Sequence, residues 1–112
     1  MTPDYIPNRG EIVWLDFKPH VGHEQAGRRP ALIISPKSYN SKVGLALFQP
    51  ITSNRKGYPF EVILPDNIPV SGVILSDQVK NLDWKIRNVK YICTISEKYY
   101  SEAIRKFQVL LR

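Results

Sequence analysis

Gly10-Glu11-Ile12-Val13-Trp14-Leu15-Asp16-Phe17 gathers β-branched and aromatic residues into one short stretch. Such residues suit a pleated, buried surface. Both alternating sets, Ile12/Trp14 and Val13/Leu15/Phe17, are largely apolar, so the stretch predicts a strand covered on both faces, with Trp14 in the core. Working outward, Ala31-Leu32-Ile33-Ile34-Ser35 predicts a second buried strand, stopped by Pro36. Val43 to Thr52 predicts a third, in which Pro50 marks a bulge or an edge position. Phe60-Glu61-Val62-Ile63-Leu64 alternates, Val73-Ile74-Leu75-Ser76 follows another turn, and Lys90-Tyr91-Ile92-Cys93-Thr94-Ile95 closes the set. Nine prolines and six glycines cut the chain into short segments, as a β domain rich in turns requires.

Only the tail has helical spacing over any length. After Ser96 as N-cap, Tyr100, Ala103, Ile104, Phe107 and Leu110 or Leu111 recur on one face. Glu97 near the start and Arg105, Lys106 and Arg112 near the end suit the helix dipole. The expected fold is mainly β (a β-barrel or α+β form): a small, strongly bent antiparallel sheet capped by a C-terminal α-helix.

The 112 residues fit a single domain spanning 1–112. No apolar run approaches the ~20 residues of a membrane span, and Met1-Thr2-Pro3-Asp4-Tyr5 does not read as a signal peptide, so no membrane association is expected. Cys93 is the one cysteine, which excludes an intrachain disulfide and suits the cytoplasm. Its place in an apolar run predicts a buried strand residue rather than a nucleophile. A net charge of +6 favours polyanionic partners, since Lys and Arg release counterions from phosphate backbones. A merely solvated basic surface accounts for the charge equally well.

Between Phe17 and Ala31 runs Lys18-Pro19-His20-Val21-Gly22-His23-Glu24-Gln25-Ala26-Gly27-Arg28-Arg29-Pro30, far longer than a hairpin needs. Loops of this length in compact domains are usually functional or disordered, and this one is polar and basic, as a flap over a substrate would be.

Glu24-Gln25-Ala26-Gly27 with Arg29-Pro30-Ala31 resembles the signature loop of the MazF/PemK family. Pro50-Ile51-Thr52, the run Lys56-Gly57-Tyr58-Pro59-Phe60-Glu61-Val62, Asp77-Gln78-Val79-Lys80 and the opening strand are similar to that family in order and spacing. The resemblance implies a small barrel related to Src-homology-3 folds and to a gyrase-poisoning toxin, and a homodimer. It further implies metal-independent cutting of single-stranded RNA at short sequences, without a cofactor, and neutralisation by a cognate acidic antitoxin. Carried over position by position, the resemblance implies Arg29, Thr52 and Glu24 as the catalytic set.

The chemistry agrees with that set. RNA carries its own nucleophile, the 2′-hydroxyl, so no metal is needed to activate water. The site must deprotonate that hydroxyl, stabilise charge on the phosphate oxygens and protonate the leaving 5′-oxygen. Arg29 offers a planar fork of donors for phosphate, and Thr52 a neutral donor. Two readings of Glu24 stand: it accepts the 2′-proton, or it orients Arg29. Without the family likeness, Arg29 reads as a partner of Glu24, and Thr52 as an ordinary strand residue.

His20 and His23 offer a rival acid–base pair, but nothing in the family pattern requires them, and they read as RNA contacts, with Gln25, or as bystanders. Two histidines without a matched carboxylate or cysteine cluster make no convincing metal site. Arg28, Arg55, Lys56, Lys80 and Arg87 are candidates for an RNA track, with Ser53 beside Thr52; Lys85 reads as solvated surface. Asn54 and Gln78 suit base edges, and Tyr58 either stacks on a base or packs in the core. Two further functions remain open: a same-fold gyrase poison and a non-catalytic nucleic-acid-binding barrel. The first relies on a terminal Trp-Gly-Ile, where this chain has Val109-Leu110-Leu111-Arg112.

Overall fold

The computed structural model describes residues 5–17 and 27–112. The strands are β1 (Glu11–Phe17), β2 (Gly27–Ile33), β3 (Leu45–Thr52), β4 (Glu61–Ile63), β5 (Val73–Leu75), β6 (Lys80–Asp83) and β7 (Lys90–Thr94). Two helices accompany them among the described residues, α1 (Lys37–Val43) between β2 and β3, and α2 (Glu97–Val109) after β7. The strands form one antiparallel sheet in the order β4-β5-β3-β2-β1-β7, with β6 also paired to β3. The expected mainly β fold with a C-terminal helix is therefore present.

β3 organises the sheet. Along one side its partner is β6 over Leu45–Phe48 and β5 over Ile51–Thr52. Pro50 falls in the interval where that partner changes, so the N–H it lacks is not missed there. It sits on a central strand, not at an edge, which corrects one of the two sequence readings. At the other end of the sheet, the β1–β7 register slips between Ile12 and Val13, leaving Ile92 as the extra residue of a bulge.

Two apolar clusters lie on opposite faces of the central strands. One contains Ile12, Leu32, Ile51, Val62 and Ile74 beneath Ala103 of α2; the other contains Val13, Leu15, Phe17, Ile33, Phe48 and Trp84. The alternation of β1 thus feeds both, as its sequence predicts. Trp14 is the exception: it is 39% exposed, not a core residue. The cluster under α2 takes Ile12 from that face and does not extend to Trp14, two positions further along β1.

Three elements differ from the sequence reading. Helix α1 occupies Lys37–Val43, a stretch to which the sequence assigns no element except Val43, the expected start of the third strand. Its boundaries follow ordinary rules, with Pro36 at the N-cap and Gly44 in the left-handed conformation (φ 80°), donating to the Asn40 carbonyl at 3.0 Å. Asn40 is fully buried, and its side chain bonds Ser35 Oγ and the carbonyls of Pro7 and Ser35. β6 was missed because Lys80-Asn81-Leu82-Asp83 is too polar to read as a strand. β2 begins at Gly27, four residues earlier than expected, so Arg28 and Arg29 stand on a strand rather than in a loop.

Candidate functional site

β2 pairs with β1 from Phe17 opposite Gly27, placing Arg28 opposite Asp16 and Arg29 opposite Leu15. Successive strand residues leave the backbone on opposite faces, yet at this end of β2 both arginines border one hollow. Arg28 Nη1 donates to Asp16 Oδ1 at 2.8 Å on an exposed surface. On the other side, β2 meets β3 with Ala31 opposite Pro50. Extending that register by two residues brings Arg29 alongside Thr52. Arg28, Arg29, Thr52, Ser53 and Ser71 line a common hollow of about 380 Å³. An arginine on a paired strand is held more narrowly than one on a loop, which suits a donor aimed at phosphate.

Thr52 ends β3 and is 8% exposed. Its Oγ1 accepts the Asn54 N–H at 3.1 Å, and a hydroxyl that accepts in this way keeps its proton to donate. Thr52 also forms a wall of a second hollow of about 310 Å³, shared with Asn54, Lys56, Tyr58, Glu61, Leu75 and Gln78. The two hollows meet at this one residue. Polar side chains dominate the second, and Arg28 and Arg29 make the first basic, as a surface for a polyanion requires.

The second hollow is braced by two carboxylates. Glu61, buried at the start of β4, accepts the backbone N–H groups of Lys56 and Gly57, each at 2.9 Å. Tyr58 donates its hydroxyl to Asp77 Oδ1 at 2.6 Å. Burial, then the bond to Asp77 and its charge, push the Tyr58 phenol up to about 12. It is therefore protonated near neutral pH and cannot act as a base there. Of the two readings of Tyr58, its half-buried ring and committed hydroxyl favour a wall of the hollow over a free stacking platform.

Beyond Arg28, the end of β1 gathers further groups. Asn88 Nδ2 reaches Asp16 Oδ2 at 2.7 Å, and Arg87 Nη1 donates to the Asp16 carbonyl at 3.2 Å. Lys80 lies over the Phe17 ring at 6.0 Å. Lys80 and Arg87 thus stand at the end of β1 and line neither hollow. Arg55 is exposed and lines neither of them. Lys85 packs over Trp84 at 5.5 Å from the ring centroid. Burial raises the thiol pKa of half-buried Cys93, which agrees with a packing residue. Glu24, His20, His23 and Gln25 lie outside the described residues.

Sequence reasoning missed Glu61, Ser71, Gly72 and Asp77 as contributors to this region. Glu61 and Asp77 fall within stretches that carry the family likeness, yet a carboxylate that binds backbone looks like any other in a sequence. Ser71 and Gly72 lie between the stretches that carry the family likeness, just before β5.

The chain is similar to known proteins of one family. The model of the PemK-like, MazF-like toxins of type II toxin–antitoxin systems matches residues 8–111. The chain is 41% identical over 111 residues to the endoribonuclease toxin MazF of Escherichia coli K12, covering 99% of each. The crystal structure of MazF from Deinococcus radiodurans superposes with a TM-score of 0.92 at 47% identity, covering 96% of this chain and 98% of that one. A MazE–MazF crystal structure from the same organism matches with a TM-score of 0.88 at 47% identity, over 96% and 97% of the two chains. With the match running through both hollows, the chain belongs to the PemK-like, MazF-like toxin family of type II toxin–antitoxin systems.

Proposed function

We propose that this protein is a sequence-specific endoribonuclease that cuts single-stranded RNA, mRNA above all, without a metal or cofactor, and so stops translation in the cytoplasm. The observation that carries the reading is the approach of Arg29 and Thr52 on adjacent strands, lining one hollow. The endoribonuclease name of a relative 41% identical over the whole chain supports it.

In this mechanism a base removes the 2′-hydroxyl proton, and the 2′-oxygen attacks the adjoining phosphorus. The bond from phosphorus to the 5′-oxygen breaks, and that oxygen takes a proton. The products are a 2′,3′-cyclic phosphate and a 5′-hydroxyl. Arg29 and Thr52 donate to the phosphate oxygens as charge builds on them. Arginine is a poor base, so Arg29 stabilises the transition state, and the carboxylate of Glu24 is the candidate base or the group that orients Arg29. Arg28, Asn54, Lys56 and Gln78 contact the nucleotides on either side.

The test is cleavage of a long unstructured RNA in excess EDTA, with the ends mapped chemically. Cyclic phosphate and 5′-hydroxyl ends are expected, with cuts confined to short sequences. Efficient cutting of a DNA copy, which lacks the 2′-hydroxyl, would sink the mechanism. A homodimer and an acidic antitoxin are part of the proposal; the MazE–MazF complex of a relative supports a protein partner. An acidic segment competing with RNA for these basic hollows should bind more weakly as salt rises. Light scattering at micromolar concentration should give the mass of two chains.

A further inference from the structure

Glu61 opens β4 with its carboxylate turned under the connection from β3. It is 9% exposed, and its two oxygens divide their work: Oε2 accepts from the N–H of Lys56 and Oε1 from that of Gly57, both at 2.9 Å. Gly57 has φ +81°. Successive backbone N–H groups with a left-handed residue among them form a concavity that binds anions, and here the anion is the chain's own side chain. From α2, Lys106 Nζ donates to the carbonyls of Pro59 and Glu61 at 2.7 and 2.9 Å. Between these anchors Tyr58 is tied to Asp77.

The segment so held exposes Ser53, Asn54, Arg55 and Lys56. Burying a carboxylate costs free energy that returns only through bonds to its oxygens. Those exposed residues add little apolar burial of their own, so the fixed shape of the segment, rather than core packing, is what the anchor gains.

We infer that Glu61 is a positioning residue for RNA recognition: by holding Lys56 and Gly57 it keeps Asn54 and Lys56 preformed against the nucleotides flanking the cut, and so sets the cut preference. The inference rests on the proposed RNA-cleaving function. Pre-organisation of this kind acts on binding, because the ordering of the segment is completed before RNA arrives.

The test is Glu61→Gln. The amide keeps the shape but has a single acceptor oxygen, and its NH₂ meets one of the two backbone N–H groups. Amide hydrogen exchange at Lys56 and Gly57 should quicken about tenfold or more, with the amides of β1, β2 and β3 unaffected. KM for unstructured RNA should rise about tenfold, kcat should change less, and the set of cut sequences should broaden.

Unchanged exchange at both amides would overturn the inference. So would a fall in kcat at constant KM, which belongs to chemistry, or uniform acceleration across all strands, which belongs to general stability. If Glu61→Gln does not fold, the parent protein still answers by NMR. Scalar couplings across the hydrogen bonds should link the amide nitrogens of Lys56 and Gly57 to the carboxyl carbon of Glu61. Their absence, with the couplings between paired strands present, would overturn the anchor. Exchange and couplings need no RNA, so an inactive parent protein would defeat the proposed function while the anchor is still read.

Discussion

Gly72 lies directly against the backbone of Thr52. A Cβ at residue 72 would stand 2.2 Å from the Thr52 carbonyl oxygen and 3.1 Å from the Ser53 Cα, and Gly72 has φ +120°. Both the space and the backbone conformation therefore exclude a side chain. The contact sets where β3 ends and where the Ser53–Tyr58 segment begins. Gly72→Ala should destabilise the protein by about 1–3 kcal/mol, through strain and backbone displacement. Its effect on RNA cleavage should be larger, on the order of a hundredfold in kcat/KM, because Thr52 moves with its carbonyl. Thermal unfolding and steady-state cleavage measured together check this; activity equal to the parent's would show that the site tolerates the shift.

Arg29 is expected to act through the geometry of its guanidinium, and not through charge alone. Arg29→Ala should fold as the parent does and lose about two to three orders of magnitude in kcat. Arg29→Lys keeps the charge but offers a compact ammonium in place of a planar fork, so it should recover only a small part of that loss. Single-turnover cleavage at saturating protein separates this from weakened binding. Full activity in the lysine variant would reduce Arg29 to an electrostatic contact.

Much of the fold could be read because apolar runs rich in β-branched and aromatic residues dominate β1, β3 and β5, and helical spacing dominates α2. Legibility failed where local chemistry is polar. Lys80-Asn81-Leu82-Asp83 becomes β6 only because Leu45–Phe48 stands ready to pair with it. Gly27-Arg28-Arg29-Pro30 joins β2 because β1 extends to Phe17 and supplies the partner groups. Arg29 and Thr52 were legible through the family likeness, but their approach depends on a register that no single segment encodes. Glu61 and Gly72 were illegible as parts of the site for a related reason: each acts on backbone brought close by the fold.

The two tryptophans should report different environments. Trp84 is 3% exposed and donates its indole N–H to the Asn40 carbonyl at 3.2 Å, whereas Trp14 is 39% exposed. Iodide should therefore quench one part of the fluorescence readily and spare the rest. Trp14→Phe should abolish the accessible part with little loss of stability, while Trp84→Phe should lower the unfolding midpoint through the lost bond and poorer packing. Equal quenching of both would place Trp14 inside the core after all.

Tyr58 gives the pH prediction. Burial, the bond to Asp77 and the Asp77 charge raise its phenol from 10.0 to about 12, so the folded state holds the proton more tightly than the unfolded chain. The stability this provides is fully present below pH 10 and is lost as pH rises through 12. Tyr58→Phe should therefore flatten the fall in unfolding midpoint over that alkaline window. In Asp77→Asn the charge is gone but burial, the largest cause, persists, so Tyr58 should titrate below its parent value yet above an ordinary tyrosine. Phenolate absorbance, taken as the difference between each protein and its Tyr58→Phe counterpart, isolates this group from the other tyrosines. Titration of Tyr58 at the ordinary value in the parent would mean that neither its burial nor its bond to Asp77 persists in solution, and the wall of the second hollow would lose one of its two braces.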